Sequence, residues 1–148
     1  MDNIWHKIIK AAAVVSGAVA GLYGGWSAML TILLVMMGID YVTGLMVAWS
    51  GKSPKTEDGR LSSKAGFVGL ARKGVIMLIV LVATLLDKAI GNTAMVFQSA
   101  TVCYYIANEG LSVLENADRL GVRTPSFIRQ RMEDMAEEKD KPPDDHPD

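Results

Sequence analysis

The chain has 148 residues, of which 50% are hydrophobic and 21% charged, with 15 Lys and Arg against 16 Asp and Glu. Its apolar residues stand in long uninterrupted runs rather than in the scattered period of a soluble domain, which excludes an ordinary water-soluble fold and points to an all-α membrane protein. The single cysteine, Cys103, excludes a disulfide framework and a thiol metal site.

In chain order, the apolar sequence from 8 to 49 is too long for one span, since about 20 residues cross a hydrocarbon core. It breaks at Gly24-Gly25-Trp26-Ser27, where paired glycines favour a turn and tryptophan suits an interface. Spans are expected near 8–24 and 27–49. Lys7, Lys10 and the small residues Ala18-Val19-Ala20 also fit a cleaved signal peptide. Apolar sequence continues to Trp49 with no soluble domain behind it, so a membrane helix is the preferred reading. SGKSPKTEDGRLSS then reads as an exposed loop. A third span is expected near 70–90, and a fourth near 93–114 after the Gly91-Asn92 break. Together, residues 1–123 form the membrane domain.

Beyond it, Thr124-Pro125 punctuates, because proline suits a first helical turn. Residues 124–139 are expected as an amphipathic cytoplasmic helix, with Ile128, Met132, Met135 and Ala136 on one side. The charged, proline-rich 140–148 tail cannot form a core and is expected to be disordered.

Cations assign the sides. Lys52, Lys55, Arg60, Lys64, Arg72 and Lys73 outnumber Glu57 and Asp58 in the long loop and the start of the third span. Lys7, Lys10, Arg119, Arg123, Arg129 and Arg131 belong to the same side if the chain crosses four times, which places both termini in the cytoplasm by the positive-inside rule. A three-span arrangement, with the first segment lying on the surface, is the alternative. The cations follow from this rule without a nucleic-acid partner.

The spans carry polar residues that are costly in lipid. Asp40 follows a long uncharged stretch, and Asp87 ends GVIMLIVLVATLLD. A carboxylate at membrane depth must face protein, water or a cation, so neither helix is wholly lipid-facing. Asp40, Thr43 and Gly44 share one face. They either line a lumen or pack against Arg72 or Lys73. Asn108, Ser112 and Glu115 fall along one stripe of the fourth helix, and Glu109, Ser112 and Asn116 along another. In the first helix, Ala13, Gly17, Gly21 and Gly25 recur every fourth residue, the pattern that lets membrane helices approach closely.

No catalytic constellation is legible. His6 and His146 lie at opposite ends, no nucleophile stands beside a base, and no glycine-rich phosphate loop follows a strand. An enzyme is not expected, nor a metal or cofactor.

A series of motifs resembles the phage holin family that also includes the toxin-secretion holins of clostridia. They are Asp40-Tyr41-Val42-Thr43-Gly44, then Ser62-Ser63 with Gly66 and Gly69-Leu70-Ala71-Arg72-Lys73, and Leu86-Asp87. The most specific block is Tyr105-Ile106-Ala107-Asn108-Glu109-Gly110-Leu111-Ser112-Val113-Leu114-Glu115-Asn116-Ala117, with Leu120-Gly121-Val122 and Pro125 behind it. The resemblance covers roughly residues 30 to 130. It implies a small inner-membrane protein, partnered by the lipid bilayer and by its own copies, whose oligomers open lesions that release an endolysin during host lysis without necessarily touching it. A toxin-export pore, a small ion channel and an antiholin regulator are the alternatives.

Overall fold

The computed structural model describes residues 2–56 and 58–140. The described chain is all helical: α1 (Asp2–Leu22), α2 (Ala28–Trp49), α3 (Ser63–Ala89), α4 (Val96–Arg119) and α5 (Ser126–Asp140). Of the expected disordered tail, 141–148 lies outside the described residues.

Local chemistry sets the helix ends. Gly24 adopts φ +74°, open to glycine at little cost, and lets the Gly25 N–H turn back to the Ala20 carbonyl at 2.9 Å. Two residues on, the Ser27 hydroxyl accepts the Leu30 N–H at 3.2 Å and caps α2. Trp26 is held beside this cap by donating its indole N–H to Thr31 Oγ1 at 2.9 Å. The helix expected to begin near residue 70 starts earlier, at Ser63. Its added turns carry Gly66 and Gly69, against which the Tyr41 ring of α2 lies.

Three helices are long and apolar enough to cross a membrane: α1 over Ile4–Leu22, α2 and α3. The segment expected as a fourth span forms α4 but falls outside that set, because polar and charged residues interrupt its apolar sequence. Those residues have a structural reason. Helix α4 is the hub of the fold, packed against α2, α3 and α5, and it turns Gln98, Glu109 and Asn116 into the interior. Mean hydropathy averages over a polar face that protein covers and the rest of the helix.

The apolar core lies between α2, α3 and α4 and comprises Leu30, Leu33, Met37, Val80 and Val102, with Tyr23 at one end. Around it, Ile32, Val35, Ile39 and Val42 of α2 and Leu78, Val82 and Leu85 of α3 are exposed. So extensive a shell of outward apolar side chains suits hydrocarbon rather than water. Helix α1 stands apart, with no residue of Ile4–Leu22 buried. It is tied to the bundle at its end, where Lys88 Nζ donates to the Gly21 and Leu22 carbonyls at 2.9 and 3.0 Å.

Candidate functional site: a buried ion triad between three helices

Two polar layers bracket the core. The layer toward the 50–62 loop is built from one residue of each packed helix. Lys73 of α3 donates to Asp40 Oδ2 of α2 at 2.8 Å and to Glu109 Oε2 of α4. All three side chains are largely shielded, at 11%, 15% and 6% exposure, so each ion depends on the others for its solvation. Of the two cations that the sequence offered Asp40, the structure selects Lys73.

Asn116 extends the layer along α4. Its amide donates to Asp40 Oδ1 at 3.1 Å and to Thr43 Oγ1 at 3.0 Å, while Thr43 donates to the Asp40 carbonyl at 3.1 Å. Gly44 faces the same amide, and a Cβ built there would lie 3.8 Å from Asn116 Nδ2, in ordinary contact. The layer contains two carboxylates and one ammonium. Every buried side-chain nitrogen and oxygen among the described residues has a hydrogen-bond partner. Such a network fixes the register of three helices, because sliding any one of them would strand a buried charge.

The second layer closes the opposite end. Asp87 is fully buried; its Oδ1 accepts from Asn92 Nδ2 at 2.7 Å and from the Phe97 N–H at 3.2 Å, and its Oδ2 accepts the Gln98 N–H at 2.8 Å. The Phe97 and Gln98 amides belong to the first turn of α4, whose own N-cap residue, Met95, sits at φ 51° and supplies no side-chain cap. Asp87 thus caps α4 from α3, a charge-assisted arrangement that also complements the helix dipole. Gln98 completes the layer, donating from Nε2 to the Tyr23 carbonyl at 2.8 Å and to Thr84 Oγ1 at 2.7 Å.

The remaining candidates lie elsewhere. Asn108 is exposed and Ser112 half-buried, both beside a cavity of about 660 Å³ that adjoins the triad. Glu115 is exposed and reaches Arg119 only at 4.0 Å. Apart from the Gly21 carbonyl that Lys88 holds, the small-residue stripe of α1 is uncovered: Ala13 is exposed, and a Cβ built at Gly17, Gly21 or Gly25 would find no atom within 4 Å. Gly25 falls beyond the helix, in the turn. Sequence reasoning missed Lys73 as the partner of Glu109, and missed Gln98, Thr84 and Tyr23. Adjacent cations near the expected start of a span signal snorkelling as readily as burial, and only the fold brings Gln98 to Thr84. Among the described residues, no three His, Cys, Asp or Glu side chains are grouped as metal ligands.

Comparison with known proteins agrees with a helical membrane protein of this kind. The chain is 35% identical over 128 residues to an uncharacterised protein of Clostridium perfringens, covering 86% of this chain and 90% of that one. It is 37% identical over 120 residues to the uncharacterised YqxH of Bacillus subtilis, covering 81% and 79% of the two chains. A protein of Bacillus phage phi105 named a probable holin is 36% identical over 113 residues, covering 76% of this chain and 77% of its own. No solved structure matches the chain. The model of the bacteriophage holin family matches residues 17–137, and it takes in α2, α3, α4 and the polar layers between them. The chain therefore belongs to the bacteriophage holin family, whose members are membrane proteins and not enzymes.

Proposed function

We propose that this protein oligomerises in the bacterial cytoplasmic membrane and opens lesions through which an endolysin reaches the cell wall. Family membership supports the reading, and the observation that carries it is the Asp40–Lys73–Glu109 triad, sealed within one chain. Along the spans a single copy presents a largely apolar exterior and pairs Asp40, Lys73 and Glu109 with one another, so it is harmless in lipid. Opening requires α2, α3 and α4 to part, after which Asp40, Thr43, Glu109, Ser112 and Asn116 solvate one another across copies or line water. Asn108 and Glu115, already at the surface of α4, lie along the wetted edge. Asp87 belongs to this set only if α4 uncaps, because its acceptor bonds hold the α3–α4 turn.

In this scheme α4 crosses the membrane as the fourth span, with both termini cytoplasmic. Its 24 residues reach about 36 Å, enough for the hydrocarbon core, and its polar face is covered by the other helices. The bare stripe of α1 supplies the contact between copies, since close backbone approach is the main source of helix association in lipid.

The test is inducible expression in a bacterium, with and without a cytoplasmic cell-wall hydrolase, following optical density and hydrolase release. Abrupt lysis that needs the hydrolase and releases it is expected. Depolarisation without release would replace the reading with a small channel, and no effect would replace it with a regulator of another holin. Asp40→Asn and Glu109→Gln are expected to shift lysis onset and the oligomer distribution; unchanged timing and distribution would remove the triad from the mechanism.

A further inference from the structure

The cavity beside the triad has a second, unused character. It opens between the 50–62 loop, α2 and α3, and five cationic side chains line it, Lys55, Arg60, Lys64, Arg72 and Lys73, against the two carboxylates Asp40 and Glu109. Lys73 already holds both carboxylates. Among the described residues, the other four cations are exposed and form no salt bridge, and with Asp58, which accepts the Arg60 backbone N–H at 3.1 Å, counted beside the two lining carboxylates, the cavity mouth keeps an excess of positive charge. The first turn of α3 adds to it: Ser62 makes no side-chain cap, and no acidic residue stands in that turn. The dipole's positive end is therefore left open at the same place. The rest of the lining is mixed: Ser53, Thr56, Asn108 and Ser112 are polar, and Leu45, Ala48, Leu61, Val68 and Ile76 supply an apolar part.

We propose that this cavity binds a phosphate-bearing anion, supplied by the headgroup of an anionic phospholipid. Arg60, Lys64 and Arg72 surround the phosphate as forked and point-charge donors, and the apolar wall accepts the start of an acyl chain. Cations gathered at one cavity mouth repel one another, and a phosphodiester relieves that repulsion. The apolar wall favours lipid over free phosphate as the source. The proposal rests on the membrane reading of α2 and α3 and not on lesion formation.

The experiment titrates short-chain phosphatidylglycerol against the full chain in neutral detergent, with short-chain phosphatidylcholine and inorganic phosphate as comparators. Saturable binding of phosphatidylglycerol, and none of phosphatidylcholine, is expected. Lys64→Gln with Arg72→Gln should weaken it by about 20-fold, from the loss of two cations near the phosphate. Arg123→Gln with Arg131→Gln, outside the cavity, should leave it unchanged. Inorganic phosphate that fails to compete assigns the site to lipid; phosphate that competes at equal concentration keeps the site and changes its source. Equal binding of both lipids, or equal loss in the two double variants, overturns the proposal. Circular dichroism checks that the variants are folded. If Lys64→Gln with Arg72→Gln is not, Arg60→Gln in the exposed loop carries the test, and unchanged binding in that variant while folded would refute the site. Since the titration involves no lysis, its failure leaves the proposed function standing.

Discussion

The Asp87 carboxylate accepts the backbone N–H of Gln98, eleven positions on, at 2.8 Å, and the Gln98 side chain reaches back to Thr84, one turn before Asp87, so that α4 is joined twice to α3. A helix that cannot cap itself is thereby capped by its neighbour, and the α3–α4 turn becomes a rigid corner.

Asp87→Ala should accordingly loosen the start of α4, at a cost of about 2 kcal/mol for a lost charged cap and its stranded amides. Hydrogen exchange at Phe97 and Gln98 should accelerate while exchange near Asn116 stays slow. Uniform acceleration along α4 would mean that Asp87 stabilises the whole bundle rather than its corner.

Lys73→Met leaves Asp40 and Glu109 buried together without their cation and should destabilise the bundle by about 3–5 kcal/mol. Adding Asp40→Asn and Glu109→Gln to it should recover much of that loss, since no buried charge then remains. Reversible unfolding in mixed micelles measures both, and a triple variant no more stable than the single one would show that shape, not charge, holds these helices together.

At Gly110 a built Cβ would lie 2.5 Å from Met132 Sδ of α5 and 3.2 Å from Met36 Cε of α2. Methionine yields to a methyl group but not to a large side chain, so Gly110→Leu should lift α5 from α4 at a cost of about 1–3 kcal/mol. Tryptic cleavage after Arg129 and Arg131 should then quicken; unchanged cleavage would place the accommodation in α2 instead.

A Cβ built at Gly17 or Gly21 meets no atom within 4 Å, and the Lys88 bond to Gly21 uses only its backbone carbonyl, so monomer stability should hold in Gly17→Leu and Gly21→Leu. Crosslinking between copies in the membrane should fall, with insertion intact. Full crosslinking in both variants would take the stripe out of assembly.

Much of this protein is settled by the order of its residues. Hydrocarbon admits only backbone that satisfies itself, so the apolar runs had to be helices, and Gly24 to Ser27 had to break the first long one because it supplies both a left-handed turn and a cap. The cost of a charge in lipid likewise required Asp40 and Glu109 to face a partner. The identity of that partner needed the fold. Arg72 and Lys73 are adjacent, and on a helix adjacent side chains point about 100° apart, so only the rotation of α3 against α2 and α4 brings Lys73 to both carboxylates. Asp87 was legible as a polar group that must be satisfied, yet its use as a cap depends on where α4 begins, a matter of packing across three elements. Hydropathy averages α4 over its faces, whereas burial acts on one face at a time; tertiary structure decided which face of that helix meets protein.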